Sequence, residues 1–490
     1  MLALTNLPLS FVDSVGFRRF MKVVEPKYDV PSRTTKVRTV IPEVHYSVKK
    51  HVSSLLCNAP FISFTTDIWS SSVSAVSLIS QTARWIDADF QPHSIMLHAK
   101  EFSGSHTGQA NAEKFEEMFN TWNIPKEAVH VVLRDNAKNI IKGMDEAELP
   151  SLPCVAHTLQ LTVNEGLLAQ KAVSDAVAIG RKIVGYFQHS PLAYSKLQDI
   201  QTDMHKPVKR LAQNVPTRWN GTLYLMRSLI EQKQAIGVYR TENKLRLSVN
   251  QWSLFEKAIK LLEPFEELTR QVSSTDSSAA DVIPAITTLL RVLEEDCEED
   301  RGVGSMNHTL LQVARRRFAD IERNSLYSFA SILDPRYKGC YFSEESAARE
   351  AKTMLVQELQ QTFDAEPQAD AEEPPAQKPR REQPSSSSCL NRMLAEIAEG
   401  RASSSHCTRR SAPLIAAAMQ LETYLAENLL ERDANPLKYW TEEREKFSSL
   451  AKLARKYLLA PCSSVESERL FSSVAHILDD TRNRLVTVST

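Results

Sequence analysis

No two cysteines of this chain stand as Cys-x-x-Cys; the seven, at positions 57, 154, 297, 340, 389, 407 and 462, are scattered. That scatter argues against a structural zinc site in the chain and for reduced thiols in an intracellular protein. Also missing is any apolar run of membrane-spanning length. The opening Met1-Leu-Ala-Leu-Thr-Asn has no basic region and no sustained apolar stretch, so neither a bilayer anchor nor a signal peptide is expected. Net charge is nearly absent: 59 Lys and Arg against 60 Asp and Glu leave −1, so no global basicity announces a nucleic-acid partner. What is present is a globular composition, 42% hydrophobic and 24% charged. At 490 residues the chain is too long for one core, and two or three domains are expected.

The charge that cancels globally is segregated locally. Lys206 to Arg246 holds nine basic residues against Glu231 and Glu242, a balance of +7, whereas Glu294 to Asp300 carries six acids and no base. The basic segment could neutralise backbone phosphates, or it could be a solvated helix face. Residues 361–412 change character again: Glu366-Pro, Glu373-Pro-Pro and serine tracts at 385–388 and 403–405 read as a disordered linker. Within it Lys378-Pro-Arg380-Arg381 has the composition of a short nuclear-import signal.

Residues 1–58 read as helical, with Pro42 at a helix start and Val44, Val48, Val52, Leu55 and Leu56 on one face expected to pack. The period then changes. Phe61–Asp67, Ala75–Trp85 and Phe90–Ala99 read as an antiparallel meander. Thr107 to Trp122 follows with a helical stripe, Val129–Leu133 reads as a fourth strand, and Ala137 to Met144 as another helix. The first strand ends on Asp67, a residue type depleted from strand interiors. Alone it is a turn cap or a ligand. Asp135 ends the fourth strand in the same way, with an N-cap as its plain alternative. If the two strands are neighbours, both carboxylates enter one cleft and offer a divalent cation hard oxygens with open positions.

Beyond residue 150 the spacing becomes helical, with a long helix expected from Cys154 towards Tyr186. Cys154-x-x-His157 is half a zinc site without a second pair, so a packed thiol and a hydrogen-bonded imidazole are expected. Inside the basic segment Trp219 is a ring that could stack on an unpaired base or fill a core, and Arg218 a phosphate contact. Leu333-Asp334-Pro335 is a turn signal in which Asp334 reads as structural. Order resumes at Pro413. Ser463 and Glu466 have capping-box spacing, which starts a helix and sets Glu468 in its first turns.

These stretches together resemble the hAT-superfamily transposases and their domesticated vertebrate relatives, the zinc finger BED domain-containing proteins. The resemblance rests on Thr66-Asp67-Ile-Trp69-Ser, His106-Thr107-Gly108, Arg134-Asp135-Asn136-Ala-x-Asn139, Cys154-x-x-His157, Thr217-Arg218-Trp219-Asn220, Leu333-Asp334-Pro335-Arg-x-Lys338, Pro436-Leu437-x-x-Trp440 and Ser467-Glu468-Arg469-x-Phe471-Ser472, in that order. It implies an α/β plus α architecture: an RNase H-like catalytic core at 59–150, an all-helical insertion at 151–360, and a hAT C-terminal dimerisation region at 413–490 that returns the last acid. Asp67, Asp135 and Glu468 match the family's catalytic and metal-binding acids, which use Mg²⁺ or Mn²⁺. Trp219 matches the tryptophan that stabilises a flipped base, and Lys209, Arg210 and Arg218 are its candidate companions on DNA.

Departures from the pattern are a missing BED finger at the N-terminus, Asn214 where an acid is frequent, and a C-terminus short of the usual last helix. The expectation is therefore a nuclear homodimer that associates with DNA, without membrane or small-molecule partners, in a regulatory role. An active metal-dependent transposase is the alternative, since all three acids are present.

Overall fold

The computed structural model describes residues 9–70, 77–213, 218–239, 246–295, 304–364, 412–467, 469 and 471. The chain divides into two compact units, Met1–His157 with Ser463–Thr490, and Thr158–Cys462. The expected linker at 361–412 falls almost wholly outside the described residues. Among those described, no helix is long and apolar enough to cross a membrane.

The first unit is built on a five-stranded mixed sheet. Helices α1 (Val15–Val24) and α2 (Ile41–Cys57) precede β1 (Ile62–Ser70), β2 (Ser77–Ile86) and β3 (Pro92–Glu101). Helix α3 (Gly108–Thr121), β4 (Val129–Arg134), α4 (Lys138–Glu146) and β5 (Ser151–Pro153) follow. The spatial order is β3-β2-β1-β4-β5, with β2 antiparallel to β1 and β3, and β4 parallel to β1 and β5. The meander is as expected; β5, three residues ending in a proline, carries no periodic signal and was not foreseen.

Strand alternation gives β1 two different faces. Ile62, Phe64 and Ile68 join the main hydrophobic cluster with Val52 and Leu56 of α2, Phe115, Met118 and Phe119 of α3, and Ile140 and Met144 of α4. Phe64 meets Phe119 edge to face at 4.9 Å. Ser63, Thr65 and Asp67 line the other face. The expected stripe on α2 packs only in its second half, because Val44 and Val48 are exposed while Val52 and Leu56 are buried.

Helices α3 and α4 cross closely, and the His106-Thr107-Gly108 stretch explains how. Thr107 Oγ1 caps α3 by accepting from Ala110 N at 3.2 Å. A Cβ on Gly143 would stand 2.6 Å from Asn111 Cβ and 3.1 Å from Gly108 O, so the crossing needs a glycine there.

The second unit is helical. It continues from α5 (Val155–Val163) through α6 (Lys171–His189), α7 (Pro191–Asp203), α8 (Trp219–Glu231), α9 (Lys233–Val238) and α10 (Val249–Val272). Then come α11 (Val282–Glu295), α12 (Gly304–Arg317), α13 (Ser325–Leu333), α14 (Glu345–Asp364), α15 (Ala412–Ala426), α16 (Pro436–Glu443) and α17 (Ser448–Tyr457). The single long helix expected from Cys154 to Tyr186 is instead broken. A π-helical turn at Asn164–Leu168 intervenes, and Gln170 takes an extended N-cap conformation before α6. A Cβ on Gly166 would lie 2.9 Å from Leu310 Cα, so the break coincides with close passage of α12.

Around Leu333–Lys338 the turn is a buried junction. The Asp334 carboxylate, fully buried, receives Arg336 Nη2 at 2.7 Å and Nε at 3.0 Å; Arg336 also reaches Asp281 at 3.2 Å, and the Tyr337 hydroxyl donates to Asp281 at 2.7 Å. Lys338 Nζ donates to the carbonyls of Tyr424 and Glu427 at 2.7 and 2.9 Å, and Trp440 Nε1 donates to Leu333 O at 3.0 Å. These bonds tie α15 and α16 to α13 across some ninety residues of chain, so the described residues 412–462 belong to the helical unit.

Candidate functional site

Asp67 lies on the polar face of β1, and Asp135 directly follows β4. The parallel pairing of these strands runs Ser63↔Val131, Phe64↔Val132, Thr65↔Leu133. Two more residues along each strand set Asp67 beside Asp135 on one face, about 4.8 Å apart in backbone spacing. Both residues are half-buried. Asp67 Oδ1 accepts from Ile68 N at 2.9 Å, and Asp135 Oδ1 accepts from Ala137 N at 3.0 Å. The loop that carries Asp135 is braced from several sides. Arg134 donates to Asp135 O at 3.0 Å and to Ser151 Oγ at 3.1 Å; Asn139 Nδ2 donates to His106 O at 2.9 Å, and Asn111 Nδ2 to Asn139 O at 3.0 Å. The asparagines of the motif thus hold backbone carbonyls around the acid.

The segment after residue 462 returns to this sheet. Ser464 N donates to the buried Cys154 Sγ at 3.3 Å, Ser94 Oγ donates to Glu466 Oε2 at 3.2 Å, and Phe471 stacks on Trp69 with ring centroids 6.2 Å apart and planes 17° from parallel. Glu468 itself lies outside the described residues. Cys154 is thus the packed thiol that was expected.

The donor set fits a divalent cation in kind, since hard carboxylate oxygens on adjacent strands suit Mg²⁺ or Mn²⁺. It is short in number: among the described residues no group of three or more His, Cys, Asp or Glu is placed to hold a metal ion. Two aspartates alone leave the set incomplete.

The candidate DNA contacts lie in the helical unit. Arg218 is exposed at the start of α8, and Arg210 sits over the Tyr194 ring at 4.9 Å. With Phe187, His189, Leu197 and Leu211, these two side chains line an open cavity of about 440 Å³. Trp219 is 3% exposed, and this settles its packing as core; its ring presents no free face for a base. The +7 balance of the segment is also reduced in space. Lys209 pairs with Glu231, Lys233 with Glu256 at 2.9 Å, and Arg227 with Glu266 and, at 3.6 Å, Glu263. Three of these acids belong to α10, beyond the window that was counted.

Comparison with known proteins agrees with this arrangement. Residues 65–148 match the ZBED1 RNase-like domain, residues 152–261 the ZBED1 RNase-like helical domain, and residues 420–488 the hAT family C-terminal dimerisation region. The chain is a hAT-transposase-derived protein. Zinc finger BED domain-containing protein 4 of Homo sapiens is 30% identical over 96% of the chain and 40% of its own length. Zinc finger BED domain-containing protein 6 of Homo sapiens is 24% identical over 96% of the chain and 51% of its own length. A putative AC transposase of Zea mays is 22% identical over 98% of the chain and 61% of its own length. The chain therefore spans about half the length of the relatives it matches. Domesticated proteins and transposases both stand among them.

Two features of the site went unread in the sequence. Trp69 follows Asp67 by two residues, hence shares its face, and that spacing was the available signal for its contact with the returning segment. Asn111 had no signal, because its partner is a carbonyl of another helix.

Proposed function

We propose that this protein is a nuclear homodimer, domesticated from a hAT transposase, that associates with DNA and acts in transcriptional regulation. The observation that carries the reading is the match of residues 420–488 to a dimerisation region. Exposed Arg210 and Arg218 support the DNA half, since neither needs to leave a core to reach a phosphate. Sedimentation of the purified chain over a range of concentrations tests the dimer. A species that stays monomeric at the highest concentration removes it. Anisotropy of a labelled duplex tests the DNA half: binding should weaken with salt, and failure to bind any duplex at low salt removes it.

A second reading is favoured by a specific observation, the register of Asp67 and Asp135. The strand order β3-β2-β1-β4-β5 with β2 alone antiparallel supports an RNase H-like core, in which these acids and Glu468 would hold Mg²⁺ or Mn²⁺ for phosphodiester cleavage and strand transfer. When bound, such an ion supplies Lewis acidity and an activated water. The chain's own part is orientation: the amides of Ile68 and Ala137 each fix one carboxylate oxygen. Mn²⁺-dependent nicking of DNA by the wild type, Asp67→Asn and Glu468→Gln decides this reading. Equal background in all three sinks it.

A further inference from the structure

The polar face of β1 is crossed by the returning segment between two fixed points. Ser94, which receives no covalent help from the segment but bonds Glu466, pairs in register with Arg84, and Arg84 pairs with Ser63. Glu466 is therefore anchored in the row of Ser63. Phe471 is anchored six strand residues further on, at Trp69. Between those rows lie Thr65 and Asp67, on the same face by strand alternation. Ser467, next in the chain to Glu466, is fully buried, and so is Phe471 at 2% exposure.

From these contacts we infer that Trp69 is a positioning residue for the carboxylate site. Its indole holds Phe471, and through Phe471 it fixes the returning segment across the row of Asp67, so that an acid carried between residues 466 and 471 completes the ligand set. Glu468 is that acid by its place in the chain. Trp69 is absent from the main hydrophobic cluster, so this strand-end ring serves the returning segment rather than the core. An offset stack at 6.2 Å also constrains tilt as well as distance, which an aliphatic contact would not. The inference rests on the reading that the site takes a divalent ion, and its test separates the two.

The experiment is Mn²⁺ titration of the full chain followed by electron paramagnetic resonance of the free ion, with hydrogen exchange of the peptide around 463–471 read in parallel. Trp69→Ala and Phe471→Ala should each weaken Mn²⁺ binding about tenfold, as loss of an orienting partner does at metal sites. The double variant should be no worse than either single one, and Trp69→Phe should restore both affinity and amide protection. A purely structural role would lower stability without this rescue pattern. If the wild type binds Mn²⁺ and Trp69→Ala and Phe471→Ala bind it equally well, the positioning role is overturned while the metal reading survives. If the wild type and Asp67→Asn bind none, the metal reading falls and takes the positioning role with it.

Discussion

Two pairs of aspartates in this chain stand in opposite circumstances. Asp281 and Asp334 of the helical unit are 4% and 0% exposed, and Arg336 bonds to both. Burial pushes the Asp334 carboxyl up while the guanidinium pulls it down, so its charge is tolerated only because Arg336 is there. Asp67 and Asp135 of the sheet unit are half-buried, sit side by side in register, and take hydrogen bonds from backbone amides. The first pair is arranged for the fold. The second keeps like charges together with no guanidinium among the partners described above, which costs stability and is the pattern of a site.

Breaking the first pair should give the largest effect. Arg336→Met leaves two buried carboxylates without their cation and should lower unfolding free energy by about 3–5 kcal/mol, measured by denaturant unfolding. A loss below about 1 kcal/mol would mean that the junction holds through Tyr337 and Lys338 alone.

Next in size is a titration inside the sheet unit. Burial holds the His98 imidazole down at about 4, although its Nε2 lies 3.1 Å from Met118 O. The unfolded state, with an ordinary imidazole near 6.5, binds more protons between those values. Stability is therefore complete above 6.5 and falls as pH drops through about 4, by about 3 kcal/mol in all. His98→Gln should flatten that window in pH-dependent unfolding; an unchanged slope would assign it to the carboxylates instead.

Asp135→Asn sharpens the contrast between the pairs. It keeps an acceptor for Ala137 N and removes one of two adjacent charges, so stability should hold or rise by up to about 1 kcal/mol. Asp334→Asn, by comparison, should cost several times that, roughly 3 kcal/mol or more, because Arg336 loses its charge partner. Similar losses in both would erase the distinction. The smallest effect is expected for Lys209→Gln, whose exposed pair with Glu231 is worth at most about 1 kcal/mol. If Lys209 meets phosphate, the salt slope of DNA binding should shrink by about 0.9.

Much of the first unit was legible because its signals are local. Alternation around Phe64, the helical stripe through Phe115 and Phe119, and the strand-end acids each depend on neighbours within a few residues. The basic segment was legible only as a count. Its acids, Glu256, Glu263 and Glu266, come from α10, and pairing across helices leaves no trace in a window. Trp219 shows the same limit: an aromatic at a helix start has one spacing whether it faces a core or a base, and burial decides.

By itself, the sequence determined which residues bear charge, where the strands end on Asp67 and Asp135, and, through motifs in order, the ancestry of the chain. Only the tertiary structure decided that the two aspartates are neighbours, that Trp69 meets Phe471, and that Lys338 joins α13 to α15. Each of those is a pairing of residues far apart in the chain, set by strand register and helix packing over distances that no local periodicity encodes.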